Sequence, residues 1–519
     1  MSSHSLSNPS QSDLQATIHI GASSISLLIL IPQEDGSFEQ VDFLEQSAPI
    51  AHDVFSQKKL SRSTIERSVA ILDGYRKALE EYDHLNQAFT VRVVATNILS
   101  EAANVDIFLN RLHISVGAEV EILDDAEMTR LIYLKTQRRL ADIPSMRKRN
   151  TLVLHVGPGN TRTILLQNGH ITKYQSFRLG THRTHANINR DSDSANSRSK
   201  IRSFIQNSLS SMTDTFAEDN IEYIVLIGYE VQLLRSYIRH QKTKFCNLEA
   251  LEEISETLAS MDDDEIVSSY QVDYQTASVM ATAIEINVAI AQAFQPQRIR
   301  IPESDYEQGL LQDLNLSPAL SGDFTAEVIR SAEKVAQKFQ VHMAHAKQVA
   351  NIAVQLFDQL QSLHKLEPHD GLLLRIAAIL HETGLFISTS SHHKHSQYIV
   401  QNSEIFGLPK IDVETVALIV RYHHGSVPKS SHSQYKDLSM PDKMRISKLA
   451  ALIRMADALA ASHSANARDI VIRNSRRRIH VHLKNTANAH AERMAMRAKG
   501  DLFENIFGLQ INLVEDTIS

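Results

Sequence analysis

Residues 16–31 read ATIHIGASSISLLILI, and residues 151–166 read TLVLHVGPGNTRTILL. Each stretch is an apolar strand, a turn of small residues and a second apolar strand, and so predicts a β-hairpin. The two match where the first strand meets the turn: His19-Ile20-Gly21 in one, His155-Val156-Gly157 in the other. An internal repeat of this kind predicts a duplicated α/β scaffold with a cleft between its halves.

Outward from the first hairpin, the pattern predicts a long amphipathic helix over 63–82, a strand over 89–95 and a helix over 98–109. A strand over 119–123 and a helix over 125–136 follow. After the second hairpin come a helix over 199–216, a strand over 223–227 and a helix over 274–293. LNLSPALSGDF at 314–324, rich in Pro, Gly and Ser, marks a boundary. From 325 to about 461 the pattern changes to successive amphipathic helices. DIVIRN and RIHVHLKN then predict paired strands, followed by a helix over 490–497 and a last strand, LQINLVE. The expected division is a loose tail at 1–14, α/β subdomains at 15–136 and 137–313, a helical domain at 321–465 and a small αβ subdomain at 466–519.

A chain of 519 residues exceeds what one hydrophobic core supports, which agrees with several domains. With 43% hydrophobic and 22% charged residues it is neither disordered nor fibrous. The formal net charge of -7 argues against a general nucleic-acid binder. The basic runs at 146–149 and 473–478 therefore read as solvated loops or strand edges. A single cysteine, Cys246, excludes an internal disulfide framework and suits a reducing compartment. No uninterrupted apolar run reads as a membrane span, and the Ser-rich start lacks the apolar core of a secretory signal. The expectation is a cytoplasmic protein with neither nucleic acid nor membrane as partner.

Glycine turns at strand ends let backbone N–H groups approach a phosphate with no side chain in the way. Hydrolysis of a phosphoanhydride at such a site also needs carboxylates, to hold a metal ion and to polarise water. In both hairpins a histidine stands where an acid would serve that chemistry.

The order HIGASS (19–24), VATNILSEAAN (94–104), EILDDAEMTRLIY (121–133), HVGPGNTRT (155–163), SFRLGTH (176–182) resembles the exopolyphosphatase and guanosine pentaphosphate phosphohydrolase family, Ppx/GppA. That resemblance implies a duplicated, actin-like α/β front half. It continues through LLRIAAILHETGLFIS (373–388), HHKHSQYIVQNSEIFG (392–407), RYHH (421–424) and IRMADAL (453–459), which are similar to the family's helical HD-type domain. In all it covers residues 16–515.

The departures from the family pattern fall on the chemistry. The family's first turn reads D-x-G-S-N-S; here His19 replaces the aspartate, with Gly21 and Ser24 kept. Its second reads D-x-G-G-G-S-T-E; here His155, Pro158 and Arg162 replace the aspartate, the middle glycine and the glutamate, while Gly157, Gly159 and Thr161 remain. In S-G-x-E-E-A-R-L, Glu127 matches the first glutamate, and Met128 falls on the second, which the family uses to activate water. Ser100 replaces an arginine expected at phosphate, and the later G-x-x-G-T survives only as Gly228, followed by Tyr229 and Glu230. Methionine accepts no proton, and histidine with arginine makes no hard oxygen cage for magnesium.

The resemblance thus implies a phosphate-binding set of His19, Gly21, Ser24, His155, Gly157, Gly159, Thr161 and Arg162, with Glu127 the one acid kept. Three readings follow: a binder of polyphosphate or a guanosine polyphosphate nucleotide with little or no hydrolysis, an active family hydrolase, or a hydrolase whose chemistry has moved to the rear. In the rear, likeness to HD-type phosphohydrolases implies that His345, the pair His381-Glu382 and Asp457 hold a divalent metal. Magnesium, manganese, iron or zinc are the candidates, and imidazole with carboxylate suits the last three. His392, His393, His395, His423 and His424 fall in the same segments, and the resemblance allows them to line the same pocket; each read alone is a hydrogen-bonded structural histidine rather than a ligand. The departures leave no assigned metal in the front cleft, and the resemblance allows a homodimer through the rear domain.

Overall fold

The computed structural model describes residues 14–33, 38–83, 89–140, 146, 148–188, 197–238, 245–302, 322–462, 470–475, 477–484 and 489–516. The chain forms two compact units, Met1–Ala319 and Leu320–Ser519.

In the front unit, β1 (Leu14–Ile20), β2 (Ser24–Pro32), β3 (Phe38–Ser47), β4 (Phe89–Ala95) and β5 (Val120–Ile122) lie in the order β3-β2-β1-β4-β5. A second sheet holds β6 (Thr151–Val156), β7 (Thr161–Gln167), β8 (His170–Phe177), β9 (Tyr223–Ile227) and β10 (Arg298–Arg300). Its order, β8-β7-β6-β9-β10, is the same arrangement. In each sheet the first three strands are an antiparallel meander, and the other two add parallel to its first strand. Parallel additions need crossovers, which the intervening helices supply. This twofold pattern is the duplicated, actin-like α/β fold.

The duplication reaches single residues. His19 pairs with Ser26 across the first hairpin, and His155 with Arg162 across the second. The meander register slips between Ile29 and Leu30, and again between Leu165 and Leu166. Each slip follows the histidine's partner by the same number of residues. Nearly every residue of β6 and β7 is buried, as expected for strands covered on both faces.

Several expectations need correction. Residues 98–109 are not one helix: a 3-10 turn, Asn97–Glu101, precedes the helix Val105–Val116. The break is held by Asn104, whose side chain accepts from Leu60 N at 2.8 Å and donates to Leu60 O at 2.9 Å. Leu14 belongs to no tail; it is buried and opens β1, while 1–13 lie outside the described residues. The boundary at 314–324 lies outside them up to 321, and Phe324 is buried in the helix Gly322–Lys338. The helix Tyr274–Phe294 is long and apolar enough by length and composition to cross a membrane, with mean hydropathy 1.4, though Glu285 and Asn287 interrupt its apolar run. It is a core helix here, 72% buried over that window. At its centre Glu285 accepts from Arg198 at 2.9 Å and from the Ser255 hydroxyl at 2.6 Å.

The rear unit is built on the helices Met343–Gln359, Pro368–Leu380, Lys410–Tyr422 and Met440–Leu459. Its tail forms a three-stranded sheet: β11 (Ile470–Asn474) antiparallel to β12 (Arg478–Lys484), and β13 (Gln510–Asp516) parallel to it. The helix His490–Lys499, with an unpredicted second helix, Asp501–Phe507, packs back on Met440–Leu459. Arg454 fastens that contact, donating to Lys499 O at 2.9 Å and to Asp501 at 2.8 Å.

Candidate functional site

The two hairpin turns meet across a cleft in the front unit. Its walls include His19, Ser24, Thr96, Asn97, Met128, His155, Gly157, Gly159 and Arg162. Each turn closes on itself in the same way: Gly21 N donates to Ser24 O at 2.8 Å, and Gly157 N to Asn160 O at 3.0 Å. Each histidine ring folds over its own glycine. A Cβ on Gly21 would come 3.4 Å from His19 Cε1, and one on Gly157 would come 3.0 Å from His155 Cε1. The glycines are required here because side chain and turn already fill the space.

Within the expected set, Ser24, His19, His155, Gly157, Gly159 and Arg162 share this cleft. Two members do other work. Neither Thr161 nor Gly21 lines the cleft: the Thr161 hydroxyl donates to Leu179 O at 2.7 Å, and the Gly21 amide, like that of Gly157, is used inside its turn. Gly159 lies so close to Gly180 that a Cβ on Gly180 would come 2.4 Å from its backbone. Arg183 locks this junction, donating to Gly159 O at 2.7 Å and stacking 4.7 Å from the Phe55 ring centroid. Glu127 is turned away to Arg130, at 2.6 and 2.8 Å. Met128, 5% exposed, packs with Leu28, Leu30, Val94, Leu123 and Leu131. Ser100 is exposed on its 3-10 turn and does not line the cleft.

Sequence reasoning missed Asp125 and Glu45, and gave Glu230, named only in the eroded glycine segment, no role. Asp125 forms an ion pair with Arg162 and accepts from Asn97 at 2.7 Å. Glu45 lines the cleft and accepts from the Ser24 hydroxyl at 2.7 Å. Glu230 is buried at the cleft wall, where Thr181 donates to it at 3.2 Å. Burial pushes its carboxyl up to about 7. His182, also lining the cleft, is pushed down to about 3 by burial and then by the neighbouring histidines His185 and His52.

In the rear unit, His345, His381 and Asp457 converge. All three are buried, and their donor atoms lie within 4.8 Å of one another. His345 Nε2 stands 3.9 Å from both Asp457 Oδ1 and Glu382 Oε1. Lys499 pairs with the other oxygen of Asp457. Burial alone would raise that carboxyl; the Lys499 charge and the facing His381 and His423 outweigh it, and the net shift is downward. His381 Nδ1 lies 2.7 Å from Ala378 O, so that nitrogen carries the proton and Nε2 presents a lone pair. Burial lowers His392, His423 and His424, and takes His393 down to about 4. These imidazoles are neutral near pH 7.

The profile of the Ppx/GppA phosphatase family matches residues 31–317, more than half the chain, and that of Ppx/GppA phosphatase domain III matches 329–500. The chain belongs to the Ppx/GppA phosphatase family. It is similar to the guanosine-5'-triphosphate,3'-diphosphate pyrophosphatase of Photobacterium profundum, 21% identical over 422 residues that cover 79% of this chain and 80% of the relative. The enzyme of that name from Aeromonas hydrophila is 24% identical over 403 residues, 76% and 78% of the two chains. Among solved structures, a Cytophaga hutchinsonii exopolyphosphatase aligns with TM-score 0.49 and 16% identity, over 58% of this chain and 97% of that one.

For a Ppx/GppA phosphatase, the donor set at the front cleft does not fit a hard cation. Among the described residues lining it, Glu45 and Glu230 alone carry carboxylates. One is bonded to Ser24 and the other is buried with its proton affinity raised. Magnesium asks for near-octahedral oxygen ligation, which two carboxylates engaged in this way do not begin. His345, His381 and Asp457 differ: two imidazoles and a carboxylate suit a borderline transition cation.

Proposed function

We propose that the front cleft binds a phosphate chain, a linear polyphosphate or the polyphosphate arm of a guanosine nucleotide, and does not cut it. One observation carries this reading: His19, His155, Arg162 and Met128 all converge on one cleft at the places where a hydrolase of the family needs acids. Arg162 offers forked N–H donors to phosphate oxygens, the imidazoles offer N–H donors, and the small turns admit the chain between them. Nothing at Met128 can take a proton from water. The names of the relatives supply the ligand class, and the cytoplasm, as the single cysteine suggests, is where we place the protein. Phosphate release from polyphosphate and pppGpp, measured with magnesium or manganese, is expected to stay at background. Turnover that survives His345→Ala and disappears with Arg162→Ala would place hydrolysis in the front cleft and overturn this reading.

A second reading concerns the rear unit, where His345, His381 and Asp457 would hold a divalent transition cation, with Glu382 at the rim. When bound, such an ion supplies Lewis-acid chemistry. The residues themselves bring lone pairs from His381 and a carboxylate from Asp457, which Lys499 keeps ionised. Elemental analysis of tag-free protein is expected to find the ion. Protein that holds no metal and takes none up would remove this reading.

A further inference from the structure

Neither proposal uses His392, His393, His423 or His424. They come from the helix His392–Gln401 and from the residues that end Lys410–Tyr422. The ring of His392 lies 5.1 Å from that of His423 and 5.0 Å from that of His424, and His393 lies 5.9 Å from His424. Donor nitrogens of His392, His393 and His424 fall within 4.8 Å of one another.

The tautomer of His423 leaves a lone pair for ligation. His423 Nδ1 lies 2.7 Å from Val420 O, so its proton is committed there and Nε2 carries the lone pair. That Nε2 accepts from His392 Nε2 at 3.1 Å, a spacing that one shared ion takes over once His392 gives up that proton. Two imidazole nitrogens at about 2.0–2.1 Å from one zinc-sized ion would lie roughly 3.0–3.4 Å apart. Donation of the second ring N–H to a backbone carbonyl is what orients a metal-ligating histidine. His393 Nδ1 is buried with no hydrogen-bond partner among the described residues. Gly425, at φ +75°, allows the chain to pass beside that ring; a Cβ there would come 3.1 Å from His393 Cε1.

We propose that His392, His393 and His424, with His423 beside them, form a second cation seat next to the one at His345, His381 and Asp457. His423 stands between the two, its ring 5.0 Å from that of His381. The three-histidine set contains no oxygen donor, so it selects zinc, cobalt(II) or nickel over magnesium and calcium. This goes beyond the single-cation reading of the rear unit and fails separately from it.

The test uses the full-length, tag-free chain, stripped of metal and titrated with cobalt(II). Visible absorption reports coordination, and elemental analysis after gel filtration reports content. Two equivalents are expected. His424 is exposed, so His424→Ala leaves the fold intact; it is expected to weaken one equivalent by roughly 10- to 100-fold and spare the other. His392→Ala repeats the result from the other helix, and His345→Gln removes only the equivalent that His424→Ala spares. A wild-type content of none overturns the proposal, as does a single equivalent indifferent to both His424→Ala and His392→Ala. So does a second equivalent indifferent to both His424→Ala and His392→Ala, or loss of both equivalents in His345→Gln. Should His345→Gln change nothing while His424→Ala acts as stated, the first seat fails and the second stands.

Discussion

At the scale of single residues, the cleft is governed by which charges are already spent. Arg162 is the one guanidinium among the described residues of the wall, and Asp125, half exposed, occupies it. Asp125→Asn releases the guanidinium while keeping an oxygen for Asn97, and is expected to tighten polyphosphate binding about 3- to 10-fold in a titration. Weaker or unchanged binding would show that Arg162 does not meet the ligand. Glu230 makes a second claim. An unfolded glutamic acid titrates near 4.5, and the folded chain raises this one to about 7, so the folded state binds the extra proton between those values. Its contribution is complete below about pH 4.5 and is lost as pH rises through 7, on the order of 3 kcal/mol in all. Glu230→Gln should therefore gain thermal stability over wild type at pH 8 compared with pH 5, by about 5 °C. An offset equal at both pH values would contradict the buried-acid account. The substitutions at His19, His155, Met128 and Arg162 were legible in the sequence, because a repeat and a resemblance placed them. Asp125 and Glu230 were not: a long-range ion pair and a burial leave no mark in local spacing.

At the scale of elements, the hairpins and core helices could be read because their burial repeats with a clear period. β3 and β8 could not, since these edge strands of the two meanders are half exposed and mix polar with apolar residues on both faces. In the rear unit, the short connection between Pro368–Leu380 and His392–Gln401 positions the histidines. The Ser396 hydroxyl donates to His381 O at 2.8 Å, and Gly384 N donates to Ser396 Oγ at 2.8 Å, tying the His381 end to the His392 helix. A Cβ on Gly384 would fall 2.1 Å from His392 O. Gly384→Ala must therefore push the His392 helix away. It is expected to cost about 1–3 kcal/mol and to lower cobalt uptake at the His392 seat, measured by melting and by absorption. A variant that melts and loads like wild type would show that this helix contact does not position the cluster.

At the scale of the whole molecule, the duplicated scaffold accounts for both halves of the front cleft. The same hairpin, with the same turn closure and the same register slip, supplies one histidine from each side. The sequence revealed this duplication because its two copies still match at the turn. It could not reveal that the tail of the chain folds back to bring Lys499 to Asp457, since that contact joins segments with no shared pattern. The central claim is that the front cleft keeps a phosphate chain without a metal and without cleavage. Calorimetric titration of polyphosphate into the full chain with EDTA present tests it most directly. The account predicts saturable binding that Arg162→Ala weakens at least several-fold. No heat in EDTA, or binding indifferent to Arg162→Ala, would contradict it.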